Sequence, residues 1–417
     1  MPGAPVETLL DPYTALDLTD AKGFFCGRLL ADLGMSVVKV EPPCGDMART
    51  MPPFVHDEAG PNSGIYWLSY NSSKKGVTLD IETAKGRELF LRLVKQVDFV
   101  IESFPPGYLA ALGLDYPALS RVNPRLIHTS ITPFGRTGPY ASFAASDIVC
   151  LAMGGMLSVT GDEDRPPVRV SAGEQSYLHG GSQAAAATLM AHYARQASGK
   201  GQHIDVSLQE SVAWMLGSDN RHWEVNGHVA GRHGGRAQSG RIVRRFIHPC
   251  KDGFVTFLIQ PSAIGSASMR AIVAWMEEEG AAGILSEINY DELDMAKVTQ
   301  EQIDAMEAVF DGFFAAHTKE ELFRESIKRR FLVYPVMVSS DLLHDEHLRQ
   351  RGLFVDVRHP PLGVSLTFPG HFFTSCGLTP RIHRAAPLLG EHNEEVYGKL
   401  LGLRPGELAL LKSERII

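Results

Sequence analysis

The sequence predicts an α/β fold built on a parallel, doubly wound sheet. Short apolar, β-branched runs alternate with segments of helical period through the first 150 residues. Glycine, proline and small polar residues fall at the joins. The chain has 417 residues, 44% hydrophobic and 21% charged, which is enough for two or three domains with cores of their own.

Ala15–Leu18 is the first short strand. Gly23–Leu33 has helical spacing, with Phe25, Leu29, Leu30 and Leu33 on one face. Gly34 ends it, because helices commonly stop on a residue that tolerates left-handed backbone. Ser36–Val40 is β-branched and apolar, hence a buried strand, and Pro42–Pro43 stops it. Gly76–Asp80 reads as strand and Thr83–Val94 as helix, with Thr83 as N-cap and Leu89, Leu93 and Val94 facing inward. Asp98–Glu102 and Leu126–Ile131 are further strands, with the short helix Tyr116–Val122 between them. Gln183–Ala197 is a long alanine-rich helix broken at Gly199–Gly201; the strand His203–Leu208 follows and leads into helix Gln209–Leu216.

Composition changes near Asp219. Residues 226–241 are rich in glycine and basic side chains and read as an exposed connection. A second unit begins with the strand Phe254–Ile259 and continues through helices Ser268–Glu279, Thr299–His317 and Lys319–Lys328. Beyond Tyr334 come a helix (Ser340–Arg351), strands Leu353–Val357 and Ser365–Phe368, and a polar, proline-punctuated tail.

A formal charge of -8 argues against a broad nucleic-acid face. Nothing reaches the ~18–20 apolar residues of a membrane span. Met1–Asp11 lacks a basic segment followed by an apolar run, so no signal peptide is expected. Cys26, Cys44, Cys150, Cys250 and Cys376 are scattered, without CxxC spacing, and read as reduced thiols of a cytoplasmic protein.

Several segments run in collinear order over most of the chain: Leu30–Pro43 (LADLGMSVVKVEPP), Tyr70–Asp80 (YNSSKKGVTLD), Glu102–Gly113 (ESFPPGYLAALG), Asn123–Ala141, Gly154–Val170, Gly199–Leu208 (GKGQHIDVSL) and Ala386–Val396. Together they resemble the family III CoA-transferases, the superfamily of the formyl-CoA and carnitine CoA-transferases and the alpha-methylacyl-CoA racemases. The resemblance implies a large Rossmann-like domain assembled from residues 1–220 and 331–417, a smaller α/β domain inserted at 225–330, and two chains interlocked like links.

The resemblance also implies the chemistry. An aspartate attacks an acyl-CoA thioester to form a mixed anhydride with release of CoA thiolate. The thiolate attacks the anhydride to give an aspartyl-CoA thioester and the free donor acid, and CoA then passes to the acceptor carboxylate. Counting forward from Pro167–Val170 puts the position of that aspartate at Ser176; counting back from Gly199–Gln202 puts it at Tyr177. Neither is an acid. A seryl ester lies well below a thioester in acyl-transfer potential, and a phenol with a pKa near ~10 is a poor substitute for a carboxylate. Glu174 is the nearest acid, either a polar loop residue or a fallback nucleophile that would need a local deletion. The racemase branch requires a histidine directly before Asp147, where this chain has Ser146, so two-base proton transfer is not expected.

Lys39, Lys74, Lys75, Arg136 and the motif residues Ser103 and Phe104 fall in segments that approach the CoA nucleotide in relatives, where cations suit phosphates. The plain alternative for the cations is a solvated surface. Ser103 stands where relatives carry asparagine, Pro42 where some carry arginine, and Ala110 and Ala111 where a basic residue is frequent, so weak CoA occupancy of this chain's own site is expected. CoA or acyl-CoA is expected as substrate, with no tightly bound cofactor. His222, His228 and His233 lack any fixed ligand spacing, so no metal site is expected, and the 231–236 stretch GRHGGR reads as linker. No GxGxxG follows the first strand, which argues against NAD.

These observations converge on a CoA-transferase subunit that lacks its own nucleophile and works with a homologous, aspartate-bearing chain. The arrangement resembles the two-subunit benzylsuccinate CoA-transferases, which implies succinyl-CoA as donor and benzylsuccinate as acceptor. Two readings stay open beside it: a homodimeric transferase using Glu174, and a noncatalytic acyl-CoA-binding or scaffold protein.

Overall fold

The computed structural model describes residues 8–171, 173–239, 241–260 and 262–417. Met1–Glu7, part of the segment on which the absence of a leader was argued, lies outside them. The chain divides into two compact units. One comprises Met1–Met156, Arg169–His228 and Glu346–Ile417; the other comprises Leu157–Val168 and Val229–Asp345. The longer segment of the smaller unit runs Val229–Asp345 rather than the expected 225–330, and Leu157–Val168 joins it. Strand pairing explains the extension: Tyr334 and Pro335 lie antiparallel against Thr256 and Val255, so the chain beyond 330 is still tied into the smaller sheet.

The large unit is organised by six strands: β1 (Thr14–Leu18), β2 (Ser36–Glu41), β3 (Lys75–Thr78), β4 (Phe99–Glu102), β5 (Ile127–Thr132) and β6 (Gln202–Ser207). All neighbours pair in parallel, in the order β3-β2-β1-β4-β5-β6. This is the doubly wound order, with its switch point between β1 and β4. Side chains alternate across the pleat. Leu16, Leu18, Val38, Val40 and Val100 face a core closed by Phe90, Leu93, Leu119 and Tyr397, joined by Ile416 and Ile417. Ala15, Val37, Phe99, Ile101 and Ile127 face the other core, built with Leu30, Ala184 and Ala185.

The long helix starts earlier than its alanine run suggests and spans Gln175–Ser198. Glycines at 180 and 181 weaken the helical signal in isolation, yet contact requires them. A Cβ at Gly180 would lie 2.2 Å from Leu208 Cδ2, and one at Gly181 would lie 3.0 Å from Phe25 Cβ. The Thr83 cap is formed, its hydroxyl accepting from Gly86 N at 3.0 Å. The expected helix Ser340–Arg351 is instead two, Ser339–His344 and Glu346–Gln350, parted by extended backbone at Asp345. The tail holds a helix, Pro405–Ser413, opened by a proline whose missing N–H has no intrahelical partner to lose.

The smaller unit packs helices Ala263–Glu278, Gln300–Ala316 and Lys319–Arg329 around Phe257, Ile272, Met276, Phe310 and Phe314. Capping boxes at Thr299–Gln302 and Thr318–Glu321 start two of these helices. The glycine-rich connection is not all loop, because Arg236–Ser239 pairs with Ile242–Arg245 in an antiparallel ribbon.

On β5, His128 is 2% exposed, and among the described residues neither ring nitrogen has a hydrogen-bond partner. Burial, with His203 and Arg136 nearby, pushes its pKa down to about 3. Its unfolded value is higher, near ~6.5, so the unfolded chain binds a proton that the folded chain refuses. Stability therefore falls as pH drops below ~6.5, by about 1.4 kcal/mol per pH unit from this group until pH nears the folded value. Denaturant melts of wild type and His128→Leu at pH 7 and pH 5 are expected to show a smaller acid loss in the variant. Equal losses would remove His128 as the cause.

Candidate active site

The carboxyl ends of the strands open on two cavities in the large unit. One, of about 500 Å³, is lined by Asp20, Asp46, Asp147, Arg169, Glu174 and Tyr177, among others. Asp20 follows β1 and is fixed by Ser103, whose hydroxyl accepts from Asp20 N and donates to Asp20 Oδ1, each at 2.8 Å. Its carboxylate pairs with Lys22. Asp46 caps the turn Met47–Thr50 by accepting from Ala48 N at 2.8 Å. Burial holds its pKa above the usual carboxylate range.

The start of the long helix forms the opposite wall. Asp147 is 4% exposed and accepts from both Ser176 N (2.8 Å) and Ser176 Oγ (2.7 Å). Ser176 itself is fully buried, its hydroxyl spent on that bond. Tyr177, one residue on, lines the cavity. Of the two positions reached by counting, the one set by the downstream glycines is therefore the one that faces open space. Arg169 Nη2 lies 3.4 Å from Asp147 Oδ2. Glu174 is the N-cap residue of the helix and also lines the cavity. Among the described residues no cation lies within ion-pair distance of it. Burial, reinforced by the Glu174 carboxylate, raises the phenol pKa values of Tyr66 and Tyr70. Burial, then Cys150, Asp20, Asp147 and Glu174, does the same for Tyr177, so that phenol stays protonated near neutrality.

Four carboxylates against one guanidinium make this an acid-rich cavity. The chain presents tyrosine, not a carboxylate, at the position counted back from Gly199–Gln202, with Glu174 as the acid beside it.

The model of CoA-transferase family III matches residues 11–393. The chain belongs to CoA-transferase family III. It is 33% identical over 385 residues to the succinyl-CoA:(R)-benzylsuccinate CoA-transferase subunit BbsE of Thauera aromatica, covering 92% of each chain. It is 31% identical to the succinyl-CoA–D-citramalate CoA-transferase of Chloroflexus aurantiacus, covering 98% of each. Among solved structures, a CAIB/BAIF family protein from Brucella suis superposes with a TM-score of 0.81 at 28% identity, over 94% of this chain and 99% of that one. No helix among the described residues is long and apolar enough to cross a membrane, and no group of three or more His, Cys, Asp or Glu among them is placed to hold a metal ion.

A second cavity of this family III chain, of about 800 Å³, lies over the ends of β1, β2 and β3, with Leu18, Val40, Leu79, Phe104 and Tyr108 in its walls. The Phe104 and Tyr108 rings stack with centroids 4.6 Å apart. Phe104 is thus brought to a cavity, while Ser103 turns the other way to hold Asp20. The four cations picked out for nucleotide contact are engaged elsewhere. Lys74 Nζ meets Asp17 Oδ2 at 2.8 Å, fully buried, and Lys39 Nζ bonds Thr19 O and sits 3.9 Å from Asp17 Oδ1. Lys75 pairs with Glu395 at 3.1 Å and Arg136 with Glu102 at 3.4 Å. Lys39 and Lys74 are internal charges of the sheet, buried at 1% and 0% exposure, which corrects the alternative of a solvated surface. A YNSSKKGVTLD string gave no sign that the first lysine of the pair faces Asp17 and only the second lies nearer solvent.

Asp20, Asp46 and Arg169 were not singled out from sequence as cavity residues. Asp20 had a usable signal, an acid just past the carboxyl end of the first strand, where ligands of open α/β sheets bind.

Proposed function

We propose that this chain is the nucleophile-lacking subunit of a family III CoA-transferase that moves CoA from an acyl-CoA to a carboxylic acid, in an interlocked assembly with a homologous, aspartate-bearing chain. The observation that carries the reading is Tyr177: of the two positions that counting gives for the family's aspartate, this one lines the acid-rich cavity, and it is a protonated phenol. The name of the Thauera aromatica relative, a subunit acting with succinyl-CoA and benzylsuccinate, supports succinyl-CoA as donor and a substituted succinate as acceptor. Exposed apolar side chains support a partner. Tyr193, Trp214 and Trp223 are 82%, 79% and 60% exposed, large apolar side chains that a partner would cover.

One observation favours a second reading, a homodimer that uses Glu174, because that carboxylate does line the cavity. The test is expression of the chain alone and with an aspartate-bearing homologue, followed by assay of CoA transfer from succinyl-CoA to benzylsuccinate. Activity only in the co-expressed 1:1 complex is expected. Robust transfer by the pure single chain would falsify the subunit reading.

A further inference from the structure

We propose that Lys412 and Arg415 read the phosphates of a CoA nucleotide held in this chain's own 800 Å³ cavity. The inference rests on the CoA-transferase reading above and goes further, since the two cations lie beyond residue 393, where the match to the family model ends. Lys412 and Arg415 supply positive charge that Pro42, Ser103, Ala110 and Ala111 do not.

Three features of the cavity carry the argument. The first is charge that is not already spent. Lys39, Lys74, Lys75 and Arg136 are all in ion pairs, whereas Lys412 and Arg415 line the cavity with no side-chain hydrogen bond or ion pair among the described residues. Glu414 between them is neutralised by Lys85 at 2.6 Å. Glu41, also on the cavity wall, is doubly bonded to Arg49 at 2.7 Å.

The second feature is backbone. Arg415 sits in left-handed conformation at φ 58°, where a helix end normally places glycine. The surroundings hold it there. Ile416 N bonds Leu411 O at 2.9 Å, Asp80 N bonds Ile416 O at 2.8 Å, and Ile416 and Ile417 are buried in the core. These contacts pin the Arg415 backbone beside Asp80 at the cavity, in a conformation that the side chain itself does not favour.

The third is the match of the remaining wall to one ligand class. Phe104 and Tyr108 offer an aromatic face. Asp80 and Glu82 offer acceptors for an exocyclic amine or ribose hydroxyls. A flat ring, hydrogen-bond donors and phosphate oxygens together describe a nucleotide such as that of CoA.

The test is calorimetric titration of the assembled complex with CoA and, separately, with pantetheine, which has no phosphate. Wild type is expected to bind two CoA per pair of chains. The Lys412→Ala/Arg415→Ala double variant should keep one tight site, weaken the other at least about tenfold, lose part of the salt dependence of CoA binding, and leave pantetheine binding unchanged. Both side chains are exposed and unpaired, so thermal melts should not move. Two unchanged CoA sites in the double variant, or only one site in wild type, would overturn this inference and leave the transferase reading standing. No CoA binding by wild type at any salt would overturn both.

Discussion

In the active complex, Glu174→Gln and Tyr177→Phe are each expected to leave kcat within about threefold of wild type, while replacing the partner's aspartate by alanine lowers it by ~10³-fold or more. The asymmetry follows from chemistry. A carboxylate nucleophile gives an anhydride and then an enzyme thioester, both high enough in energy to return CoA to an acceptor. The Tyr177 phenol has its pKa raised by burial and the acids around it, so at neutral pH it is neither a comparable nucleophile nor a comparable leaving group. Ser176→Ala should also be kinetically mild, since its hydroxyl is occupied by Asp147; its expected effect is on stability. Steady-state assay of purified complexes gives the comparison. A loss of ~10³-fold at Glu174, with the fold intact, would move the nucleophile into this chain and favour the homodimer.

How much of this was legible beforehand differs by element. Strands β1, β2 and β4 were readable because each is a short, largely apolar run that the sheet buries, whereas the edge strand β6 (QHIDVS) is half exposed and was marked by the glycine break before it. The first turns of the long helix were not, since Gly180 and Gly181 are dictated by the approach of Leu208 and Phe25, contacts between segments far apart in sequence. The ribbon at Arg236–Ser239 carries no β-branched residue and so gives no strand signal. At the site, counting gave two adjacent non-acidic positions, and the structure separates their surroundings: Ser176 turns into Asp147 and Tyr177 lines the cavity. Charge was the least legible feature. Whether a lysine in a strand meets ligand or a buried partner depends on what stands opposite it on the next strand, and for Lys39 that residue is Asp17.

Asp17→Asn is expected to cost about 3–5 kcal/mol of stability, the scale for breaking a buried ion pair from one side. Asp17, Lys39 and Lys74 are all within 1% of full burial, with Asp17 on β1 between the two ammonium groups. Burial alone would raise the Asp17 pKa; Lys74 and Lys39 outweigh it and hold the carboxyl below the usual range, so the acid is ionised at neutral pH. Because the folded pKa is the lower one, this contribution is present above the unfolded value near ~3.9 and is lost as pH falls through the folded one. Asparagine keeps the shape and the Thr19 contact but removes the charge, leaving two buried ammonium groups against carbonyl oxygens and Asn71. Pairing it with Lys74→Met should recover part of the loss, since the double variant buries one ammonium rather than two. Urea denaturation of wild type, both single variants and the double variant measures that coupling. Additive losses, or an Asp17→Asn variant as stable as wild type, would show that these three charges do not form the energetic unit their distances describe.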